Sequence, residues 1–171
     1  MPSSISNRKL RTVALAMLAL IISLPLAAEN RVGGHVGVVF PLASYSDGDT
    51  TTIADDFSVG FPTGVSVIIS EKLIFDMEVV PVIHEGASDV DLTIHPGFVR
   101  PMGSGYAVGI RAAFDVGHPS YGFTPLINRA FKRSGGGAYF AELVLPVRFQ
   151  RDDAGDTQAS IGVGVHLGFG F

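Results

Sequence analysis

Strict alternation of large apolar residues with small or polar ones constrains the fold of this chain more than any other feature. The clearest example is the stretch 161–171, where six large apolar residues occupy every odd position and glycine or His166 fills the positions between them. Because successive side chains of a β-strand point to opposite faces, this pattern predicts a strand with one apolar and one small, polar face. Beyond the N-terminal segment the pattern has no helical period, so the sequence predicts an all-β protein.

The alternation recurs in segments separated by turn-forming residues, which we interpret as eight antiparallel strands. The predicted strands lie near 31–41, 57–69, 73–84, 91–101, 106–117, 121–131, 138–150 and 158–171. The predicted connections are a polar loop at 42–56, a tight turn at Glu71, a loop at 85–90, turns at 103–105 and 134–137, a short link at 118–120 and an acidic loop at 152–156. A spacing of about ten residues suits tilted strands that cross a membrane.

The composition of the two strand faces decides which one points outward. In a soluble barrel the apolar face fills the interior and the exterior is polar. Here the alternate face holds Gly, His, Asp, Glu, Arg, Ser and Thr with few lysines, so it does not form a solvated exterior. With the faces reversed, the large apolar residues contact lipid, and closure is required because hydrocarbon tolerates no open sheet edge. We therefore predict a closed, antiparallel, eight-stranded transmembrane β-barrel.

The N-terminal segment 1–28 differs from the rest and predicts a cleaved secretory signal peptide. Positive residues within 8–11 precede an apolar run at 13–22, and alanines at 27–28 follow it. A membrane anchor is the alternative, but the apolar stretch is interrupted by Ser and Pro and is shorter than the roughly 20 residues of a spanning helix. We expect export, cleavage near Ala28 and a barrel domain at 29–171.

Composition excludes several classes of function. The chain has no cysteine, which rules out a disulfide scaffold, a thiolate zinc site, a cysteine nucleophile and an acylated lipoprotein cysteine. Its formal net charge of −4 gives no basic footprint for nucleic acid. We expect no cofactor and no nucleic-acid partner.

The C-terminal strand carries a resemblance to a known class. A final Phe171 preceded by Phe169, Leu167, Val165 and Val163 resembles the terminal signal of bacterial outer-membrane barrels. The chain as a whole is similar to the small barrels of the OmpA-domain, OmpX and OmpW kind. This resemblance implies a location in the bacterial outer membrane, assembly by the barrel-assembly machinery, and contact with outer-membrane lipids and lipopolysaccharide.

Charge in the predicted connections supports one orientation. With both termini in the periplasm, the external connections are acidic and the periplasmic end is basic, so the two rims have opposite sign. The external charges are Asp47, Asp49, Asp55, Asp56, Glu85, Asp89, Asp152, Asp153 and Asp156 against Arg151, and the periplasmic ones are Arg31, Lys72, Arg100, Arg129, Lys132 and Arg133.

Strand parity predicts a set of charged residues inside the barrel. A network of salt bridges that fills the lumen is one interpretation, because eight strands leave room for little more than their own side chains. Abundant inward glycine leaves open a small-ligand cavity or a narrow passage. A His35–His166 metal site has no support from spacing, so we predict no metal. The predicted lumenal residues are Asp76, Glu78, Arg111, Asp115, Glu142, Arg148, His35, His84, His95 and His166.

The best candidates for catalysis are Asp115, His118 and Ser120, at the external end of the fifth predicted strand. A His-x-Ser pair is similar to that of the outer-membrane lipid A deacylases, in which His and Ser work with an acidic residue. An ordinary turn at 118–120 is the simpler interpretation, and Glu142 lies too far along its strand to orient His118. A lipid-modifying enzyme, deacylase- or palmitoyltransferase-like, is therefore the alternative to a non-enzymatic barrel that is structural, interacts at the surface or passes small apolar molecules.

Prolines inside the predicted strands are the second feature with a functional meaning. Pro62 lies almost opposite Pro81, and Pro125 almost opposite Pro146. Each proline removes a donor from the strand ladder. The pairs predict either β-bulges that curve the wall or two weakened seams through which an apolar molecule passes sideways.

Overall fold

The computed structural model describes residues 32–86, 90–134, 136–151 and 155–171. The predicted signal peptide and the charges at Arg31, Asp89, Asp152 and Asp153 lie outside these residues. Within the described ranges no helix is long and apolar enough to cross a membrane. The strands are β1 (Val32–Ser46), β2 (Asp49–Thr52), β3 (Ser58–Gly60), β4 (Thr63–Ser70), β5 (Leu73–His84), β6 (Val90–Gly103), β7 (Tyr106–Asp115), β8 (Ser120–Ser134), β9 (Gly137–Val144), β10 (Val147–Arg151) and β11 (Thr157–Gly170).

The strands form a closed ring of eight positions, as the sequence predicts. The segments β2, β3 and β4 together form the second position, and β9 and β10 form the seventh. Every pairing is antiparallel, and β1 pairs with β4 on one side and with β11 on the other, where Val36 faces Thr63 and Phe169. Among the described strands every one but β2, which pairs with β1 alone, is paired on both sides. Such closure is the condition for a barrel in lipid.

Closure is completed by the last residue of the chain. The Phe171 amide donates to the Gly34 carbonyl at 2.9 Å, and the Gly34 amide donates back to the Phe171 carbonyl at 2.8 Å. The C-terminal residue is thus paired in the ladder and joins the last strand to the first.

Burial is inverted relative to a soluble protein. Among the described residues, ten polar or charged residues are buried, whereas only Val80, Ala113, Leu126 and Val144 form a buried apolar core. Large apolar residues are exposed on the outer wall along every position of the ring, including Ile110 at 51% and Leu167 at 45%. Since a monomeric soluble protein does not expose an apolar belt of this extent, the wall faces hydrocarbon and the barrel is transmembrane.

Aromatic side chains gather at the two ends of this apolar wall. At the end with the termini, the Tyr139 and Phe169 rings lie 5.2 Å apart, and the Arg129 guanidinium lies over the Tyr106 ring. At the other end the Tyr121 and Phe149 rings lie 5.7 Å apart. Aromatic girdles at both interfaces are typical of transmembrane barrels.

The structure corrects the predicted loop at 42–56 and the first strand at 31–41. β1 continues to Ser46 and turns back through Asp47 and Gly48 into β2. Both turn residues have positive φ, 53° and 92°, as a two-residue hairpin turn requires. The Asp-Gly dipeptide is typical of such a turn. The prediction of a loop rested on the polar composition of this segment, which instead forms a hairpin that extends the barrel wall.

The prolines interrupt two strands without inserting a residue. Gly60 faces Val82 and Thr63 faces Val79, so the register runs unchanged across residues 61–62, where β3 ends and β4 begins. The same holds around Pro146, between β9 and β10. The prediction of β-bulges at the proline pairs is therefore wrong. The bulges of the described chain lie elsewhere, at 41–43, 68–70, 101–103 and 130–133.

Candidate functional site

A cluster of ionisable side chains occupies the middle of the lumen. Its members sit at inward positions of β1, β5, β6, β7, β9 and β11, so the alternation of the strands alone directs them to one place. All are buried, with exposures from 2% to 8%. The members of this lumenal charge cluster are Asp76, Glu78, Arg111, Glu142, His35, His95 and His166.

Arg111 stands at the centre of the lumenal charge cluster. Its Nε donates to Asp76 Oδ2 at 2.8 Å, and its Nη1 donates to Glu142 Oε1 at 2.8 Å. Its Nη2 lies 3.7 Å from Glu78 Oε2. A planar guanidinium with five N–H groups can bind several carboxylates at once. One arginine on β7 therefore ties together β5 and β9, which lie on opposite sides of the lumen.

Two histidines bind the two oxygens of Glu78. His35 Nε2 lies 2.9 Å from Oε2, and His95 Nδ1 lies 3.1 Å from Oε1. The second ring nitrogen of His95 lies 3.2 Å from Arg148 Nη2. Because a guanidinium only donates, His95 Nε2 is the acceptor there, and its proton resides on Nδ1 and points to Glu78.

His166 is the most deeply placed histidine, at 2% exposed. Its Nδ1 lies 3.4 Å from Glu142 Oε1, whereas its Nε2 has no hydrogen-bond partner among the described residues. The ring lies against the backbone of Gly37, where any side chain would collide with it. The Phe140 ring packs edge-on against His166 at 4.9 Å and against His35 at 6.0 Å, which closes this side of the cluster.

The lumenal charge cluster does not fit a metal ion. His35, Asp76 and Glu78 can each bring one ligand atom to within 4.8 Å of the others. Both Asp76 oxygens are already bonded, however, to the Ser66 hydroxyl at 2.6 Å and to Arg111, and both Glu78 oxygens face histidines. The guanidinium of Arg111 thus occupies the place that a cation would take.

The cluster divides the lumen into two parts. A cavity of about 210 Å³ lies on the side of the termini, and one of about 180 Å³ lies on the opposite side, towards the β1–β2 hairpin. Arg111 and Glu142 line both cavities, so their ion pair forms the partition. The cavity towards the β1–β2 hairpin is mainly apolar, with Val39, Val80 and Val144 on its wall, and is here named the apolar cavity.

A wider vestibule of about 510 Å³ opens above the apolar cavity. Arg148 lines both spaces and donates to the Thr124 hydroxyl at 3.2 Å as well as to His95. Asp115 also lines the vestibule, where it accepts a hydrogen bond from the Thr93 hydroxyl at 2.7 Å. The predicted lumenal residues therefore occupy two levels. Asp115 and His84 lie above the cluster, and Arg148 lies between the two levels and joins the cluster through His95.

The three catalytic candidates line the vestibule but do not form a relay. The Ser120 amide donates to the His118 carbonyl at 2.8 Å. Within the described part of the chain, no hydrogen bond joins the Ser120 hydroxyl to the His118 ring. The His118 ring instead directs its Nε2 to Asp91 Oδ1, at 3.5 Å. A serine nucleophile activated by histidine needs the missing contact.

Several neutral side chains that sequence reasoning did not select complete the lumen. Ser66, Thr93, Thr124 and Asn128 each hydrogen-bond a charged member of the lumen, and Phe140 packs on two histidines. All five share the inward parity of the charged residues. The signal that identifies them is therefore the same alternation, applied to uncharged positions.

Comparisons with known proteins give distant similarities. No family model matches the sequence, and no curated protein matches it. The solved structures similar to it include the outer membrane protein OprG from Pseudomonas aeruginosa, with 8% identity over 81% of this chain and 94% of that chain and a TM-score of 0.43. A de novo designed transmembrane β-barrel is 12% identical over 80% of this chain and 94% of that chain, with a TM-score of 0.36. The function must therefore be inferred from the residues of this chain.

Proposed function

We propose that this protein is a non-enzymatic outer-membrane barrel that admits small apolar molecules from the external side and releases them sideways into the membrane. One observation carries the proposal. The vestibule continues into an apolar cavity, because Pro146, Gly162 and Arg148 line both, whereas Arg111 and Glu142 close the lumen beneath. A molecule that enters from above has no straight route to the periplasm.

The seams at the proline pairs offer the lateral route. Pro62 and Pro146 both line the apolar cavity, and the two seams lie on opposite sides of the ring. The Phe61 amide donates to the Pro81 carbonyl at 2.9 Å, but proline has no N–H with which to return the bond. The Leu145 amide donates to the Pro125 carbonyl at 3.0 Å, with the same deficit. Each seam therefore lacks one ladder hydrogen bond, and Pro62 and Pro146 each leave out one more on the other side of the broken strand, towards Gly37 and Gly162.

The apolar wall and the strand that closes the ring support the proposed location and partners. In this proposal, lipopolysaccharide and phospholipid surround the barrel, with the acidic loops outside. The barrel-assembly machinery recognises the terminal strand through Val163, Val165, Leu167, Phe169 and Phe171. Fractionation with the outer membrane and heat-modifiable migration in gels test this part directly.

Uptake of a small apolar fluorophore into proteoliposomes tests the lateral route. We expect faster uptake with the protein than in protein-free vesicles. Pro62→Val with Pro81→Val returns one donor at the first seam, towards Phe61, and one towards Gly37 of β1. Pro125→Val with Pro146→Val returns one donor at the second seam, towards Leu145, and one towards Gly162 of β11. Each restored hydrogen bond contributes about 0.5–1.5 kcal/mol, so both double variants should unfold at higher denaturant and take up the fluorophore more slowly.

Pro96→Val is the matched control. Pro96 lies within the unbroken strand β6, where it faces Met77, and it does not line the apolar cavity. This variant should keep the uptake rate of the parent. Unchanged rates in both seam variants, or a parent no faster than empty vesicles, would contradict the lateral route.

A further inference from the structure

The mouth of the vestibule holds two histidines that share one carboxylate. His84 Nε2 lies 3.0 Å from Asp91 Oδ2, and His118 Nε2 lies 3.5 Å from Asp91 Oδ1. Each carboxylate oxygen therefore faces one imidazole. All three side chains line the vestibule.

Three neighbouring positions of the ring bring these residues together. His84 ends β5, Asp91 lies at the start of β6, and His118 follows β7. Asp91 is paired with Val82, so His84 is its diagonal neighbour on the same inward face. On the other side, the Val116 amide donates to the Leu92 carbonyl at 2.8 Å and holds the link that carries His118.

We propose that His84, Asp91 and His118 form a binding site for a divalent transition-metal ion such as Zn²⁺, Cu²⁺ or Ni²⁺. Two imidazole nitrogens and one carboxylate oxygen are ligands that these ions prefer. The remaining coordination positions take water, or Asp115 and Asp56, which line the same vestibule. These two carboxylates also make the vestibule attractive to a cation.

Exposure distinguishes this site from the lumenal charge cluster. The side chains of His84, Asp91 and His118 are 36%, 51% and 60% exposed, so they can rotate to bring their ligand atoms around an ion. The two histidines are the only groups that bond the Asp91 carboxylate within the described part of the chain. No guanidinium of the described residues bonds to Asp91, in contrast to Arg111 in the cluster.

The test is metal titration of the full-length protein, expressed without a polyhistidine tag and purified from membranes in detergent. Calorimetry with Zn²⁺ should give one site per barrel. Electron paramagnetic resonance of one equivalent of Cu²⁺ should show coupling to two nitrogens. His118→Gln, on the most exposed of the three positions, should remove one nitrogen coupling and weaken binding by about tenfold or more, since even indirect partners of metal sites contribute that much.

His84→Gln and Asp91→Asn should weaken binding to a similar degree, and Asp49→Asn, an exposed carboxylate of β2 that does not line the vestibule, should bind as the parent does. Folding of each variant is checked by heat-modifiable migration. The proposal is overturned if the parent binds no Zn²⁺ or if the His84→Gln/His118→Gln double variant binds with the affinity of the parent. The second result would place the ion at the lumenal histidines. Because the readout is metal binding, the result is independent of fluorophore uptake.

Discussion

Arg111 shows how a single residue can hold together the charged side chains inside a narrow barrel. Three buried carboxylates lie around it, and no other guanidinium or ammonium group of the described chain bonds to them. A buried carboxylate without a cation is costly, so the partition of the lumen depends on this one side chain.

Replacing this arginine should therefore cost more than replacing another lumenal arginine. Arg111→Met keeps much of the volume but leaves the carboxylates of Asp76 and Glu142 without their cation. Loss of one partner of a buried ion pair typically costs about 3–5 kcal/mol. Arg148→Met is the control, because Arg148 bonds to a hydroxyl, a ring nitrogen and its neighbouring carbonyl rather than to a carboxylate. Urea unfolding in detergent micelles measures both, and equal losses would show that the ion pairs contribute nothing specific.

A residue-scale test also separates the proposed function from the enzyme alternative. Because the Ser120 hydroxyl does not bond the His118 ring, His118→Ala should leave the lipid A of the cells unchanged. Mass spectrometry of lipid A from cells with the parent, with the variant and without the protein measures this. A mass change that depends on the parent and disappears in the variant would establish the lipid-modifying enzyme instead.

At the scale of the element, alternation predicts strands well because it records which face each residue presents. It fails where a strand leaves the membrane and both faces become polar, as in β2, whose four residues are all exposed. There the turn chemistry of Asp47 and Gly48 decides the structure. Alternation also fails to predict the strand breaks at Pro62 and Pro146, because the inward and outward positions stay in phase across both breaks and carry no information about lost hydrogen-bond donors.

The segment after β2 carries its own pH dependence. The Asp55 carboxylate accepts hydrogen bonds from the Thr52 hydroxyl at 2.7 Å and the Thr52 amide at 2.9 Å, and these bonds lower the pKa of Asp55. A lowered carboxyl pKa means that the turn is stabilised above the ordinary value of 3.8 and that this contribution is lost as the pH falls through the lowered pKa. Amide-exchange protection of Thr52, followed by NMR between about pH 6 and pH 2, should fall in that range.

Asp55→Asn should reduce this protection throughout the range and remove its acid dependence. Asp49→Asn is the matched control, since Asp49 lies at the other end of β2 and faces Ser46. If the amide of Thr52 in the parent keeps the same protection at the acid end, the hydrogen bonds to Asp55 do not hold the turn.

For the molecule as a whole, strand parity determines which residues point into the lumen but not their height along the barrel axis. The inward positions of each strand follow from the alternation, whereas the height of a residue depends on the register between strands. Register places Arg111 opposite Gly97 and Thr124, in the cluster, and Asp115 opposite Thr93, in the vestibule. A single sequence contains no equivalent signal for register, so the division of the lumen by Arg111 and Glu142 appears only in three dimensions.

An arginine is stabilised on the inner face of the wall and destabilised on the outer face, and two adjacent positions of β7 allow this to be tested. Arg111 is buried with carboxylate partners, whereas Ile110 points outward near the middle of the strand and is 51% exposed. Ile110→Arg would place a guanidinium in hydrocarbon, at a cost of about 2–4 kcal/mol near the bilayer midplane. Val116→Arg, just beyond β7 towards the vestibule end, should cost only about 0–1 kcal/mol. Unfolding by urea in phosphocholine vesicles measures the two. Equal costs at the two depths, or a parent that remains monomeric in plain buffer after detergent removal, would mean that water rather than lipid contacts the wall.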